Sequence, residues 1–298
     1  MSDVILLDGS IGQEVVKRSG EAPTPLWSTQ VMIEAPEHVR AVHAEYFDVG
    51  ATIATTNTYA ILQDRLDKNG VTTPIAQLWD VAVSMAKEAR QSAGHGRVAG
   101  GIGPLGASYR PDLAPSPEVA AAQYEDIVAY LDARCDLLLI ETVSSIAAAE
   151  GVLRATDQGV KPVWIAVSVS DDEGTKLRSG EPVADLLPIL QAHRVDAVLI
   201  NCSRPEVIGA GLDVLKECGK PFGAFGNGFT KISDGFLQDK PTVAALEERH
   251  DLTPEAYAQI ALSWVDQGAS IVGGCCEVGP AHIKELAAQL RAAGHHII

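Results

Sequence analysis

A chain of 298 residues with 46% hydrophobic composition can bury a large core, and its formal net charge of −16 argues against nucleic acid and anionic membrane surfaces as partners. No apolar run is long enough to span a bilayer, and the opening Met-Ser-Asp leads directly into apolar residues with no basic segment or small-residue cleavage site, so the expected location is cytoplasmic. Five cysteines, two of them adjacent, suit a reducing compartment better than a disulfide framework.

From the N-terminus, apolar runs of strand length alternate with segments of helical period, each alternation closed by a turn rich in glycine or polar residues. The predicted strands cover residues 4–7, 51–55, 98–102, 137–140, 163–169, 197–200, 222–225 and 271–272. The predicted helices include 36–48, 74–92, 117–133, 144–156, 183–193, 205–217, 254–267 and 280–293, several opening on a proline whose missing N–H costs nothing in a first turn. About eight βα units predict an α/β fold, a (β/α)8 TIM barrel forming a single domain over residues 1–298. Two connections, 20–28 and 228–251, are longer than packing needs and are expected to become substrate loops over the barrel mouth.

In such barrels the residues just after each strand crowd the catalytic face. Here they are Asp8, Thr56 and Asn57, Gly103 and Pro104, Glu141, Ser170, Cys202, Asn227, and the pair Cys275 and Cys276. Polar groups and thiols dominate. Gly273 and Gly274 are expected to turn the chain sharply so that Cys275 and Cys276 emerge side by side. A disulfide between neighbours closes a small strained ring, so metal is the first alternative. With Cys202 at another strand end, three thiolates would make a zinc site whose fourth position is left for a substrate. For any one of these cysteines alone a core role is the better reading; for the set, metal is. Cys135, ahead of a strand, and Cys218, at a helix end, read as structural. The eight histidines form no metal-ligand spacing and read as solvated or capping residues, with His295 and His296 in the terminal tail.

The segments Asp8-Gly-Ser-Ile-Gly12, Leu26-Trp27-Ser28, Ala54-Thr-Thr-Asn-Thr-Tyr59, Gly103-Pro-Leu-Gly106, Ile140-Glu-Thr142, Asn201-Cys202 and Gly273-Gly-Cys-Cys276 together resemble the homocysteine S-methyltransferase family over almost the whole chain. The Asn-Cys and Gly-Gly-Cys-Cys combination is the specific part. The resemblance implies that Cys202, Cys275 and Cys276 hold Zn2+ and that Asp8 and Glu141 grip the ammonium of homocysteine. It further implies that the homocysteine carboxylate meets backbone N–H groups near Ile11 and Gly12, and that Trp27 and Tyr59 line the methyl-donor pocket. Thr56, Asn57 and Asn227 are candidates for further pocket lining. A free thiol with a pKa of about 8.5 is only a few per cent thiolate at neutral pH, and a zinc ion removes that handicap. Methyl transfer to sulfur is then mostly alignment and desolvation, with no general base required.

Betaine-using members carry a tyrosine after the glutamate and a C-terminal arm after the zinc cysteines; here Thr142 follows Glu141 and the sequence stops at Ile298. The cobalamin-dependent methionine synthases resemble the chain in one module only. The resemblance therefore favours the compact branch that uses S-methylmethionine or S-adenosylmethionine. Two departures touch the donor side: Glu277 stands where a small residue or arginine is usual, and Phe225-Gly-Asn227 lacks the usual proline. The rival readings are a metal-dependent barrel hydrolase, which lacks the expected histidine and aspartate ligands, and a non-catalytic zinc- or thiol-binding barrel, which would keep the same cysteines.

Overall fold

The computed structural model describes residues 2–233, 235–238, 242 and 245–298. Its strands are β1 (Asp3–Leu6), β2 (Ile53–Thr55), β3 (Arg97–Ile102), β4 (Leu137–Val143), β5 (Val163–Val167), β6 (Ala197–Asn201), β7 (Phe222–Gly226), β8 (Ile271–Gly274) and β9 (His296–Ile297). The helices are α1 (Ile11–Ser19), α2 (Ser28–Glu34), α3 (Pro36–Asp48), α4 (Gln63–Lys68), α5 (Ile75–Ala93), α6 (Pro117–Asp132), α7 (Ile146–Thr156), α8 (Leu187–Ala192), α9 (Pro205–Leu215), α10 (Pro254–Asp266) and α11 (Pro280–Ala292). Every strand pairing is parallel, in the order β2-β3-β4-β5-β6-β7-β8-β1-β9, and helical crossovers supply the length that parallel neighbours need.

The sheet curls into a TIM-like barrel. Its seam, between β1 and β2, is a bridge rather than a ladder: Leu7 pairs with Ile53, and Thr52 N–H donates to the Leu6 carbonyl at 2.7 Å. Strand alternation sorts the core into two layers. Leu7, Ile53, Leu139, Leu199, Phe225 and Ile271 pack together inside the ring, while Leu6, Ala54, Leu138, Ile140, Ile200 and Val272 join the larger cluster that the helices cover.

Several details differ from the sequence expectations. Gly273 and Gly274 continue β8 instead of turning it. Their lack of a side chain serves close packing: a Cβ on Gly273 would lie 2.5 Å from Leu7 Cβ, and one on Gly274 2.3 Å from Val278 Cγ1. Strand β4 runs on through Glu141 to Val143, so Glu141 lies within it. The tail histidines are not both free of structure, since His296 and Ile297 pair with Asp3 and Val4 as β9. The segment predicted as one helix over 183–193 opens as a 3-10 turn, Val183–Leu186, before α8, which carries Pro188 in its first turn. His43, on α3, is wholly buried with neither ring nitrogen bonded, and burial pushes its pKa down to about 4, so it is a neutral core residue. His282 does cap, its Nδ1 accepting from Gly279 N–H at 3.2 Å. In the 228–251 connection, residues 234, 239–241, 243 and 244 lie outside the described residues; Phe229 and Glu248 form an antiparallel bridge within it. Among the described residues no helix is long and apolar enough to cross a membrane.

Candidate active site

The C-terminal ends of the strands surround a cavity of about 450 Å³. Asp8, Thr56, Asn57, Glu141, Cys202, Cys275 and Cys276 all reach it, together with Ile11, Gly12, Trp27 and Tyr59. Asn227 does not line it. That residue sits behind Cys202, with Nδ2 4.0 Å from the sulfur, and its Oδ1 accepts from Phe229 N–H at 3.3 Å.

Cys202 directly follows β6 and adopts φ +47, a left-handed conformation that non-glycine residues hold only when their surroundings enforce it. Its N–H donates to the Phe225 carbonyl at 3.1 Å, and its own carbonyl accepts from Arg178 Nη2 at 3.3 Å. Cys275 is fixed by its N–H to the Gly226 carbonyl at 2.9 Å. The three Sγ atoms lie within 4.8 Å of one another, Cys202 and Cys276 being 3.6 Å apart. Three sulfurs around one zinc at about 2.3 Å stand roughly 3.8 Å from each other, so this donor set fits the ion with little movement. All three thiols are free, and no other group of three potential ligands is found among the described residues. Within the cluster the three thiols are not equivalent. Hydrogen bonds from Cys275 and Cys276 hold the Cys202 thiol well below the ordinary range, and the same bonds push the other two up. Tyr109, which the sequence reading passes over, places its hydroxyl 2.8 Å from Cys202 Sγ.

The carboxylates are built differently from each other. Asp8 accepts from Thr55 N–H at 2.6 Å and from Thr55 Oγ1 at 2.9 Å, which also ties the β1–β2 seam. Burial nevertheless pushes its pKa up to about 7 against those bonds. Glu141 has no hydrogen-bond partner among the described residues. Burial pushes its carboxyl well above the usual range, and the negative charges of Asp8 and Cys202 add to this. Glu141 faces the cavity by ordinary strand alternation from Leu139, and a bulge follows it: the β4–β5 register shifts between Ile140 and Val143, and Thr142 has φ +60. Strand residues alternate faces, so Glu141 and Thr142 can both line the cavity only through such a break. Asn201 fastens the bulge, its Oδ1 accepting from Thr142 N–H at 2.9 Å and its Nδ2 donating to Thr142 Oγ1 at 3.0 Å. The asparagine of the Asn-Cys pair thus holds Thr142, the residue that follows the glutamate.

Ile11 and Gly12 open α1, and their N–H groups take no backbone partner among the described residues, so the helix presents a partly positive end to the cavity. Trp27 precedes α2 with φ +52. Its ring meets Tyr59 edge-on at 6.3 Å, and Gly12 is required beneath it because a Cβ there would lie 2.4 Å from the indole. Tyr59 Oη pairs with Ser108 Oγ at 2.7 Å, and the Arg65 guanidinium lies 5.4 Å from the Tyr59 ring. Thr56 is held by Thr58 Oγ1 at 2.7 Å and Gly101 N–H at 3.0 Å; Asn57 accepts from Ser28 Oγ at 2.7 Å, which anchors the start of α2. Cys135 is buried in the helix-facing core and Cys218 packs against it, both away from the thiol cluster, as expected.

The site has a floor of thiols and carboxylates, a helix N-terminus suited to a carboxylate, and an aromatic wall suited to a cation. Residues 5–290 match the family described as Homocysteine S-methyltransferase. Similar relatives include Homocysteine S-methyltransferase of Escherichia coli (strain K12), 30% identical with 96% of this chain and 95% of that protein covered. Homocysteine S-methyltransferase YbgG of Bacillus subtilis (strain 168) is 29% identical, with 97% of this chain and 95% of that protein covered. Among solved structures, the metallated form of the homocysteine methyltransferase MmuM from Escherichia coli superimposes with a TM-score of 0.79 at 28% identity, covering 97% of this chain and 96% of that one.

Proposed function

Because the chain belongs to the homocysteine S-methyltransferase family, we propose that it transfers a methyl group from a sulfonium donor, S-methylmethionine or S-adenosylmethionine, to the thiol of homocysteine, forming methionine. Cys202, Cys275 and Cys276 hold a zinc ion in this reading. The observation that carries it is the convergence of three thiols within 4.8 Å at a cavity that also holds Asp8 and Glu141. The β1–β2 bridge at Leu7 and Ile53 supports treating the sheet as a closed (β/α)8 barrel, and residues 1–298 as one homocysteine-binding domain.

Zinc, when bound, deprotonates a coordinated thiol and keeps it nucleophilic among thiolate ligands. The chain's own residues do the rest. Asp8 and Glu141 bind the homocysteine ammonium, and each ionises fully once that cation lies beside it. The free N–H groups of Ile11 and Gly12 take the carboxylate. With both ends of the amino acid held, its thiol is carried toward the cysteines. Trp27 offers an indole face to the sulfonium, which loses its charge as the methyl leaves, and Tyr59 braces that ring. Because the methyl leaves a neutral thioether behind, no side chain has to move a proton in the transfer. Thr56 and Asn57 complete the wall, and Asn227 supports Cys202 from behind.

The decisive experiment supplies zinc-loaded protein with homocysteine and, in turn, S-methylmethionine, S-adenosylmethionine, betaine and a methylfolate, following methionine by mass spectrometry. Methionine from a sulfonium donor alone supports the assignment. Methionine only from betaine or methylfolate overturns the donor, and none from any donor favours a barrel that binds without turnover.

A further inference from the structure

Glu277 follows the cysteine pair and carries no role in the chemistry above, yet its side chain is 7% exposed and firmly bonded. One carboxylate oxygen accepts from Gln13 Nε2 and the other from Lys17 Nζ, both on α1. Gln13 is itself buried, and its Oε1 accepts from the indole Nε1 of Trp27 at 2.8 Å. A carboxylate only accepts and an indole N–H only donates, so the Gln13 amide can stand in one orientation alone. The chain of bonds therefore has a fixed direction, from indole to amide to carboxylate, with Lys17 holding the far end. Glu277 also has φ +62 and Trp27 φ +52, so both ends of the chain stand in backbone conformations that need outside support.

We propose that Glu277 is a positioning residue for the methyl donor: through Gln13 it fixes the plane of the Trp27 indole and so ties the donor side of the cavity to the loop that carries Cys275 and Cys276. The inference rests on Trp27 being a wall of the donor pocket. Gln13 and Glu277 do not line the cavity and act only through the ring. The indole would otherwise be held by its packing over Gly12 and the edge contact with Tyr59, which restrain the ring without bonding its N–H.

The test compares wild type with Gln13→Met, which keeps the side-chain length but neither bond, with Trp27→Ala, and with the swap Gln13→Glu/Glu277→Gln. In the swap, the carboxylate introduced on α1 accepts from both the indole and the amide introduced after Cys276, and it stands four residues before Lys17, where it can pair with it. Kinetics with S-methylmethionine and homocysteine are measured beside zinc content and tryptophan emission. Gln13→Met should raise KM for S-methylmethionine by about tenfold, with kcat, zinc content and KM for homocysteine within about twofold of wild type. Its emission should change in the component that Trp27→Ala removes, and the swap should recover most of both losses. If Trp27→Ala raises KM for S-methylmethionine but Gln13→Met does not, the coupling is overturned and the pocket assignment stands. A Trp27→Ala variant with unaltered KM overturns the pocket assignment, and this inference with it. A folded swap variant no better than Gln13→Met also overturns the coupling.

Discussion

The hydroxyl of Tyr109 lies 2.8 Å from Cys202 Sγ, while its ring is met by Phe236 at 5.8 Å and by the Arg178 guanidinium at 5.1 Å. A hydrogen bond to a ligating sulfur orients it and steadies its charge, and loss of such a partner typically weakens metal binding by about tenfold or more. Tyr109→Phe, which keeps the ring contacts, should lose zinc to a chelator at correspondingly lower chelator concentration. Unchanged retention would mean that the phenol contributes packing only.

Zinc content should separate the thiols into two groups. Cys202→Ala, Cys275→Ala and Cys276→Ala should each strip most of the metal, whereas Cys135→Ala and Cys218→Ala should leave it in place. Stoichiometric zinc in the purified double variant Cys275→Ala/Cys276→Ala would exclude the three-thiolate site.

A desolvated cation over an indole gains roughly 2 kcal/mol, so Trp27→Ala should weaken use of the sulfonium donor by about thirtyfold. Homocysteine binding should be nearly intact. The opposite pattern, lost homocysteine affinity with an unaltered donor KM, would move Trp27 to the acceptor side.

Under the proposed function, selectivity among thiols should depend on the carboxylates. Charge-assisted hydrogen bonds are worth about 1.5–3 kcal/mol each, so Asp8 and Glu141 together should favour homocysteine over its des-amino analogue by two or more orders of magnitude. Glu141→Gln should lose most activity with homocysteine and narrow that gap. Equal turnover of the two thiols by wild type would show that the amino group goes unread.

Asp8 also makes a pH prediction. Its folded pKa of about 7 stands above the ordinary 3.8, so its contribution to stability is complete below the ordinary value and is lost as pH rises through about 7. Substrate-free protein should therefore lose thermal stability between about pH 4 and about pH 7 through this group. Asp8→Asn keeps an acceptor for Thr55 N–H and cannot ionise, so it should flatten that part of the curve. A variant whose melting curve runs parallel to wild type across the range would remove Asp8 as the source.

The barrel strands and the cysteines were legible because both are local signals: apolar runs of fixed length, and thiols at their ends. The bulge at Thr142 was not, since nothing in Ile140-Glu-Thr142 announces that two successive residues will share one face. Asn227 illustrates the limit of reading roles from strand ends: it follows β7 as expected, but Phe229 and Cys202 draw its side chain away from the cavity wall. Tyr109 lies in a loop without periodicity, 93 residues from its sulfur partner, and Gln13 is 264 residues from Glu277. Such pairs exist only once the ring brings distant strand ends together. Two-residue β9 offers no period at all.

Among the described residues, five without the freedom of glycine hold a positive φ: Trp27, Tyr109, Thr142, Cys202 and Glu277. Four line the cavity and the fifth follows Cys276. Each such residue costs on the order of 1–3 kcal/mol, most of all a β-branched one such as Thr142. Under the proposed function, heat resistance and turnover should therefore be opposed at these five positions. A library selected only for survival at high temperature should drift toward glycine at these points and emerge sturdier but catalytically poorer, while stabilising changes elsewhere in the barrel should carry no such penalty.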